Sequence, residues 1–453
     1  MRILTTLVIA ALLGGTWIGA GAGGGANATA PPDPDGARGY SVAPAPEGGT
    51  ATRTARLLLF PARAAVHVGT WPIRTAATII SPSGLLQRMA HGYQQGRYFV
   101  PVFGIDPVPD WNAGLRAAHG SFFDRAGLIT YRAAYGGSRE QLYALTFRSR
   151  DDELIPYRPG WSYRLTAKWE VLPNKHYFGM GNLSHRFDLT YYTRERYLFL
   201  GSLRYAQTSW MRWDLTLAVQ RSMISPGSYL EPGEKSIERG FPSESSAPGL
   251  YINPENIQAE VALVLDRRDE RGRPHAGWRG EGFFCFARGT GPDNLDFVRY
   301  GGELQGYLPI AARHTLALNV AGEEARTGET DPETGLTREI KLTELPSLGG
   351  PSTLRGYLRD RFIDNAAIHW NAEYRYRLSR LIEVAAFADF GKVMPRLLDF
   401  DFDYVHRSFG AGLRFSAREQ AYFRLQLARS DEDIIFVATL EPIFARVDRR
   451  ERR

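Results

Sequence analysis

The sequence is poor in the residues that cross-link exported proteins and in the apolar runs that cross a bilayer. Its 453 residues include one cysteine, Cys285, which excludes an internal disulfide. Its only long apolar run, Ile3–Leu13, is much shorter than the about 20 residues that a membrane-spanning helix needs. Stability must therefore come from packing, or from a membrane that the chain crosses in another way.

The motifs of common enzyme classes are also missing. The sequence has no Gly-x-Ser-x-Gly elbow, no His-Glu-x-x-His and no Walker loop, and its nine histidines are scattered. We therefore predict no enzyme, no metal site and no cofactor. The net charge of +6 is spread along the chain rather than clustered with aromatic residues, so nucleic acid is not an expected partner.

The two ends of the chain differ from its middle. Arg2 precedes the apolar run, and Ala-x-Ala sites follow it at 26–28 and 28–30, which predicts a secretory signal peptide over residues 1–28. Residues 29–96 are first rich in Pro and Gly and then lack strand alternation, which favours a linker followed by short helices. Residues 445–453 are predicted to form a basic periplasmic tail.

From about Arg97 onward, polar and apolar residues alternate in segments separated by Gly, Pro, Asp and Asn. Most of these segments reach the roughly 9–11 residues that a tilted membrane-spanning strand requires. The predicted strands are 98–105, 111–119, 127–135, 139–149, 161–171, 187–206, 213–223, 258–268, 277–289, 297–309, 314–325, 365–378, 382–393, 404–417, 421–430 and 432–444.

The composition of the strand faces separates a membrane barrel from a soluble sandwich. In 368–378 one face is Ile, Trp, Ala, Tyr, Tyr and Leu, and the other carries His, Asn, Glu and two Arg. A barrel in lipid needs an apolar outer face and permits a wet lumen, and its connections alternate between short and long. We therefore predict an all-β fold, a sixteen-stranded antiparallel transmembrane β-barrel over 97–444, rather than a soluble all-β protein.

The first and last predicted strands meet where such a barrel closes. Tyr98 lies in the first strand, while Phe436, Leu440 and Phe444 share one face of the last. A terminal aromatic residue is typical of outer-membrane barrels, although here nine residues follow Phe444. These four residues are the candidates for the barrel seam and the C-terminal signal.

The long segment before the twelfth strand, 326–364, contains a glycine-rich stretch around one arginine. Arg355, Gly356 and Tyr357 follow a pair of glycines, which suggests a tip that folds back. A guanidinium in a confined site needs partners. Glu373 and Asp389 lie on the polar faces of the next two strands, so two inward carboxylates are available for a bidentate arginine.

These residues carry a resemblance to a known family. "LRGY" (354–357), "EYRYRL" (373–378) and "FADFG" (387–391) resemble the BamA/TamA-like outer-membrane proteins, also called the bacterial surface antigen family. The resemblance implies sixteen strands and a loop arginine that pairs with a Glu of the twelfth strand and an Asp of the thirteenth, here Arg355, Glu373 and Asp389. The alternative is an ordinary lumen salt bridge that only fixes a loop.

Two further segments are similar to family elements. "LDRRDERGRPHAGW" (265–278) resembles a periplasmic-turn element carried by Asp266, Arg268, Asp269, Pro274 and Gly277, for which turn capping is the alternative interpretation. "YFGMGN" (177–182) is similar to a recurrent segment of the family, and we interpret its two glycines as a sign of close strand packing.

The resemblance implies a protein of a Gram-negative-type outer membrane that helps to insert or translocate polypeptides or lipids. Its expected partners are outer-membrane lipid and client polypeptides, and the barrel is expected to be monomeric. Family members typically carry periplasmic POTRA modules, and residues 29–96 show no pattern of one. The alternatives are a passive or gated channel, a structural surface protein, or a barrel that anchors a separate periplasmic partner through 31–95.

Overall fold

A computed structural model describes most of the chain between residues 97 and 440. The described residues are 97–105, 112–122, 127–136, 139–149, 158–228, 230–243, 246–250, 255–271, 273–290, 295–329, 339–379, 382–417 and 420–440. The predicted signal peptide, the linker with its short helices, Phe444 and the basic tail all lie outside the described residues.

Eighteen strands are present in this part of the chain. They are β1 (Arg97–Ile105), β2 (Asn112–Phe122), β3 (Gly127–Gly136), β4 (Gln141–Ser149), β5 (Gly160–Tyr177), β6 (Thr190–Ala206), β7 (Met211–Pro226), β8 (Glu255–Asp266), β9 (Gly277–Gly289), β10 (Phe297–Ala311), β11 (His314–Arg326), β12 (Ser347–Leu348), β13 (Phe362–Ile363), β14 (Ala366–Arg377), β15 (Ile382–Met394), β16 (His406–Ala417), β17 (Gln420–Arg429) and β18 (Ile434–Leu440). A one-turn helix over Ile237–Gly240 lies between β7 and β8.

Sixteen of these strands form a closed antiparallel barrel. Each barrel strand pairs with its neighbour in the chain, β11 pairs with β14, and β1 pairs with β18 to close the sheet. The short strands β12 and β13 pair only with each other, inside the loop between β11 and β14. The predicted sixteen-stranded barrel is confirmed, and each predicted segment matches one barrel strand.

The largest difference from the predicted strands is in β5, which runs on to Tyr177 rather than ending at 171. Its register against β6 shifts between Leu172 and Lys175, and Asn174 has a positive φ of 57°. A bulge of this kind breaks the two-residue alternation of polar and apolar side chains, and for this reason the alternation predicts a strand that ends before the bulge. Strand β6 begins at Thr190 rather than 187, because a 3-10 turn over Arg186–Asp188 precedes it.

The two faces of the barrel differ as a membrane requires. Outward side chains such as Phe199, Leu217 and Leu304 are large, apolar and more than half exposed. Inward side chains on the same strands include charged residues such as Arg196 and Asp214, which are buried. Among the described residues, no helix has the length and hydrophobicity needed to span a bilayer.

The main apolar core lies at the end of the lumen that carries the long connections. Strand ends and loops meet there in one buried cluster made of Tyr177, Tyr192, Ile224, Ile237, Ala247, Leu250, Ala287, Leu295, Phe297, Ala325, Ile340, Leu342, Leu345 and Ile363. A second cluster joins the loop between β11 and β14 to the barrel wall. It contains Leu348, Leu354, Tyr357 and Phe362 of the loop with Ala367 of β14 and Val393 of β15. Packed loops therefore fill this end of the lumen.

Candidate functional site

The loop between β11 and β14 forms a hairpin, which we call the lumen loop and which is described over residues 339–365. Strands β12 and β13 pair at its base, and its tip turns at two glycines with positive φ, Gly349 at 119° and Gly350 at 86°. A Cβ on Gly349 would lie 2.1 Å from the Leu358 carbonyl oxygen. Only glycine fits this turn, which directs the following residues toward β14 and β15.

Arg355 lies at the tip of the lumen loop and contacts both predicted carboxylates. Its Nη1 is 2.6 Å from Glu373 Oε2, and its Nη2 is 2.6 Å from Asp389 Oδ1. Its Nε and its backbone N–H donate to Asp389 Oδ2 at 2.9 and 3.1 Å. The guanidinium also lies 3.4 Å from the centre of the Phe387 ring. The structure thus brings together the three residues that the resemblance pairs.

The charges of this cluster are buried and hydrogen-bonded. Asp389 is fully buried and also accepts hydrogen bonds from Asn371 Nδ2 at 2.9 Å and Ser408 Oγ at 3.2 Å. Glu373 accepts further hydrogen bonds from Arg375 and Arg414. Burial lowers the pKa of Arg355, but the two carboxylates outweigh it and raise the pKa above its usual range. The arginine is therefore held in its charged form.

Gly356 and Tyr357 attach the same tip to the turn between β17 and β18. A Cβ on Gly356 would lie 2.7 Å from the Cβ of Ser408, so this position has no room for a side chain. The Gly356 carbonyl accepts a hydrogen bond of 2.8 Å from Ser430 Oγ. The buried Tyr357 hydroxyl donates to Asp431. Burial and this carboxylate raise the pKa of Tyr357 above its usual range.

Two charged residues that the sequence analysis did not single out fix the end of the tip. Arg361, which is 2% exposed, donates to Glu432 at 2.7 Å and to the Ser184 carbonyl at 2.7 Å. Asp360 pairs with Lys175 of β5 at 2.7 Å and accepts a hydrogen bond from Ser347. The lumen loop is thereby tied to β5 and to the turn between β17 and β18.

A third unpredicted residue, Glu344, ties the first half of the lumen loop to the opposite wall. Its carboxylate accepts hydrogen bonds from Gln220 of β7 and, at 3.2 Å, from Gln258 of β8. It also pairs with Arg299 of β10 at 3.4 Å. The sequence shows that these strand residues face inward, but no pattern indicates which loop residue they meet.

The predicted periplasmic-turn residues are also clustered. Arg268 binds Asp266 in a bidentate pair at 2.8 and 2.7 Å, while Asp269 Oδ1 caps the turn by accepting from the backbone N–H of His275 at 3.0 Å. Gly277 has a φ of 100°, and a Cβ there would lie 2.1 Å from the Arg267 carbonyl oxygen. Pro274 is buried within the turn. Both aspartates therefore cap the turn, because Asp266 Oδ1 also accepts from the backbone N–H of Arg268 at 3.3 Å, and Asp266 is in addition the partner of the Arg268 side chain.

This turn reaches across the lumen to the far strands. Arg273 lies 3.4 Å from Glu383 of β15, and Glu383 lies 3.6 Å from Arg414 of β16. Arg414 in turn contacts Glu373, which binds Arg355. A continuous row of alternating charges therefore joins the turn between β8 and β9 to the tip of the lumen loop.

The "YFGMGN" glycines lie beyond β5 and both have a φ of 92°. A Cβ on Gly179 would lie 3.0 Å from the Phe241 ring. A Cβ on Gly181 would have its nearest neighbour, Asp364 Oδ2, 4.0 Å away. The interpretation of close strand packing is wrong for both glycines, since their positive φ is what favours glycine and Phe241 does not lie in a strand. The Gly181 N–H donates to the Ile363 carbonyl at 2.8 Å, so this segment also contacts the lumen loop.

The predicted seam residues are only partly at the seam. Leu440 of β18 lies opposite Phe103 of β1. Tyr98 lies in β1 opposite Ala118 of β2, and Phe436 points outward from β18 with half of its side chain exposed. Among the described residues, no group of His, Cys, Asp and Glu side chains has the arrangement of a metal site.

Comparison with known proteins places this barrel in a family. Residues 122–431 match the model of the Omp85 superfamily domain. The chain belongs to the Omp85 superfamily. It is therefore a protein of the Gram-negative outer membrane, and the resemblance to BamA/TamA-like proteins is confirmed.

One similar solved structure shows the same barrel fold, and two further structures are similar over part of their length. BamA from Haemophilus ducreyi lacking POTRA domains 1–3 is 14% identical, with a TM-score of 0.55 over 76% of this chain and 70% of that one. CdiB from Acinetobacter baumannii is 9% identical, with a TM-score of 0.48 over 77% and 60%. CdiB from Escherichia coli is 15% identical, with a TM-score of 0.47 over 75% and 62%. No curated protein matches the sequence.

Proposed function

We propose that this Omp85 protein inserts or translocates polypeptides, or lipids, at the outer membrane as a monomeric, non-enzymatic barrel that opens between β1 and β18. The observation that carries the proposal is the way in which the barrel closes. Its first and last strands pair with each other, and their described residues meet from Phe103↔Leu440 to Ile105↔Ala438. Every other neighbouring pair of barrel strands is also joined by a connection of the chain, whereas β1 and β18 are held together by their pairing.

When two paired strands separate, each strand edge presents free backbone N–H and C=O groups. Such edges can template an incoming strand by β-augmentation.

The lumen loop determines which side of the seam moves. Its described contacts reach β5 through Asp360, β7, β8 and β10 through Glu344, and β14 and β15 through Arg355. Tyr357 and Arg361 attach it to the turn that leads into β18. These contacts hold β5 to β18 as one braced body, so opening is expected to move β1 away from β18. Arg355 serves here as a latch that keeps the loop in the lumen.

A wide passive channel is less consistent with the lumen. Packed apolar side chains occupy the end with the long connections, and the turn that carries Arg273 crosses toward β15 at the other end. We expect small or no steady conductance in planar bilayers. A large, steady pore that is unchanged by Arg355→Ala would instead favour the channel function.

The test is a disulfide that locks the seam. Gly104→Cys and Thr439→Cys replace residues that lie directly opposite each other, at a Cα separation of about 4.5–5.5 Å, which suits a disulfide. Cys285→Ser removes the only native thiol. The matched control locks β17 to β18 through Ala428→Cys and Ile435→Cys, which are also opposite each other.

The readout is the composition of outer membranes after the native protein is depleted and each variant is supplied. Quantitative proteomics and lipid analysis identify the components that depletion removes. We expect the oxidised seam lock to fail to restore them, while its reduced form and the oxidised control lock both succeed. Full restoration by the oxidised seam lock would rule out lateral opening, and an unchanged membrane after depletion would point to a channel or an anchor.

A further inference from the structure

The connection between β15 and β16, residues 395–405, packs on the outside of the barrel, and we call it the aromatic loop. Its Leu397 N–H donates to Glu324 of β11 at 2.9 Å. Its Phe400 ring lies 6.1 Å from Trp370 of β14. Asn371, the residue next to Trp370, points into the lumen, where it binds Asp389. Trp370 therefore faces outward, and the aromatic loop covers the lipid side of β11 and β14.

The aromatic loop carries some of the most exposed large apolar side chains of the described structure. Leu398 is 85% exposed, Phe402 79% and Tyr404 71%. Tyr404 has a positive φ of 55°, and its carbonyl accepts a hydrogen bond of 2.8 Å from Asn182. An unfavourable backbone conformation is thus held in place by a contact from another loop, so the exposed rings are positioned by the fold.

These side chains continue the lipid-facing band of the barrel. Trp370 stacks on Phe390 at 5.7 Å, and Phe390 meets Phe409 at 6.0 Å. Phe402 packs 6.4 Å from Trp370 and 5.0 Å from Phe400. One run of ring contacts therefore connects the outer faces of β14, β15 and β16 to the exposed rings of the aromatic loop.

Charged and aromatic side chains alternate in the aromatic loop, as is suitable for the boundary between lipid headgroups and acyl chains. Asp399, Asp401 and Asp403 alternate with Phe400, Phe402 and Tyr404. Asp401 pairs with Lys392, which lies on the outer face of β15. Aromatic side chains favour this boundary because one part of the ring stays in apolar surroundings while polar neighbours remain hydrated.

We infer that the aromatic loop is a membrane-binding element that inserts Leu398 and Phe402 into the leaflet next to the long connections, beside β14 to β16. Its partner is the lipid surface itself, because the exposed side chains are continuous with the band that already contacts lipid. This inference does not depend on the proposed insertion or translocation of clients.

Site-directed spin labelling of the full chain tests the inference. Phe402→Cys and Leu398→Cys are each made with Cys285→Ser, labelled, and reconstituted into phospholipid vesicles that contain no other protein. Glu231→Cys, an exposed position on the connection between β7 and β8, is the matched control. Heat-dependent electrophoretic migration verifies that each barrel is folded. Accessibility to oxygen, which partitions into lipid, is compared with accessibility to a water-soluble nickel chelate.

We expect the oxygen-to-nickel accessibility ratio at 402 and 398 to exceed the ratio at 231 several-fold. Equal ratios at all three positions would show that the aromatic loop lies in water and would overturn the inference. Shielding of 402 from both reagents would also overturn it, because the side chain would then be covered by protein rather than by lipid. Since both side chains are largely exposed, their replacement removes little packing, and the folded state remains available for measurement.

Discussion

Replacing Arg355 with alanine tests whether the tip of the lumen loop is a latch. The substitution removes the Arg355 side-chain hydrogen bonds to Asp389 and Glu373 and its contact with Phe387. Glu373 keeps two cationic partners, Arg375 and Arg414. Asp389 is fully buried and keeps only the neutral donors Asn371 and Ser408 among the described side chains. The loss of stability therefore comes mainly from leaving the buried Asp389 carboxylate without a cationic partner.

Breaking a buried ion pair by removing one partner costs about 3–5 kcal/mol. At about 1.36 kcal/mol for each tenfold change, the opening equilibrium of the tip should rise by about 150- to 5,000-fold. Hydrogen exchange measures this at the Gly350 and Tyr357 amides, which donate within the folded tip. The control is Arg359→Ala, an exposed arginine of the same tip, for which we expect a change below about 0.5 kcal/mol.

A double substitution separates a latch from a simple loss of packing. If the cost comes from a stranded carboxylate, Arg355→Ala combined with Asp389→Asn should be clearly less destabilising than the sum of the two single changes. Additive effects, or exchange in Arg355→Ala within threefold of the unmodified protein, would refute the reasoning. Either result would mean that the Arg355 contacts stabilise the tip by only about 0–1 kcal/mol, as a solvent-exposed ion pair does. The contact would then be an ordinary lumen salt bridge.

Two further predictions concern other parts of the barrel. Gly277→Ala should lower the free energy of unfolding of the barrel by more than about 1 kcal/mol, because Gly277 has a positive φ and lies against the Arg267 carbonyl. Gly282→Ala is the control, since a Cβ there meets nothing within 4 Å, and it should lower this free energy by less. Unfolding in urea measures both. Burial raises the pKa of Asp360, but Lys175 outweighs it and holds the pKa below its usual range. The ionised Asp360 therefore stabilises the tip above about pH 3.9, and this stabilisation is lost as the pH falls further. The hydrogen-exchange rates of the tip in Asp360→Asn and in the unmodified protein should accordingly differ at pH 7 and converge at acid pH.

The barrel was predictable because each strand carries its own evidence. Alternation over about ten residues fixes the inward face without knowledge of any neighbour, and it correctly directed Glu373 and Asp389 into the lumen. The prediction failed where the local pattern is broken, as at the β5 bulge before Lys175. The residues at the seam were less predictable, because periodicity gives the strands but not the register in which two strands pair.

The remaining ties of the lumen loop were not predictable from local pattern. Glu344 meets Gln220, which lies 124 residues earlier, and Arg361 meets Ser184, which lies 177 residues earlier. Loop residues have no periodicity that assigns them a face, so their partners depend on the path of the loop through the lumen. Arg355 was found only because a short motif marked it and its partners follow within 34 residues.

The connectivity of the chain indicates where the barrel yields first. β1 and β18 are held together by strand pairing, without a connection of the chain between them. Release of the lumen loop would break several buried charged contacts, and removing one partner of such a pair costs about 3–5 kcal/mol. In the proposed function, the seam should therefore open while the lumen loop stays in place. In lipid, the exposed strand edges would leave polar groups unsatisfied. An incoming strand would satisfy them, and for this reason the proposed function expects a client polypeptide as the partner of the open state.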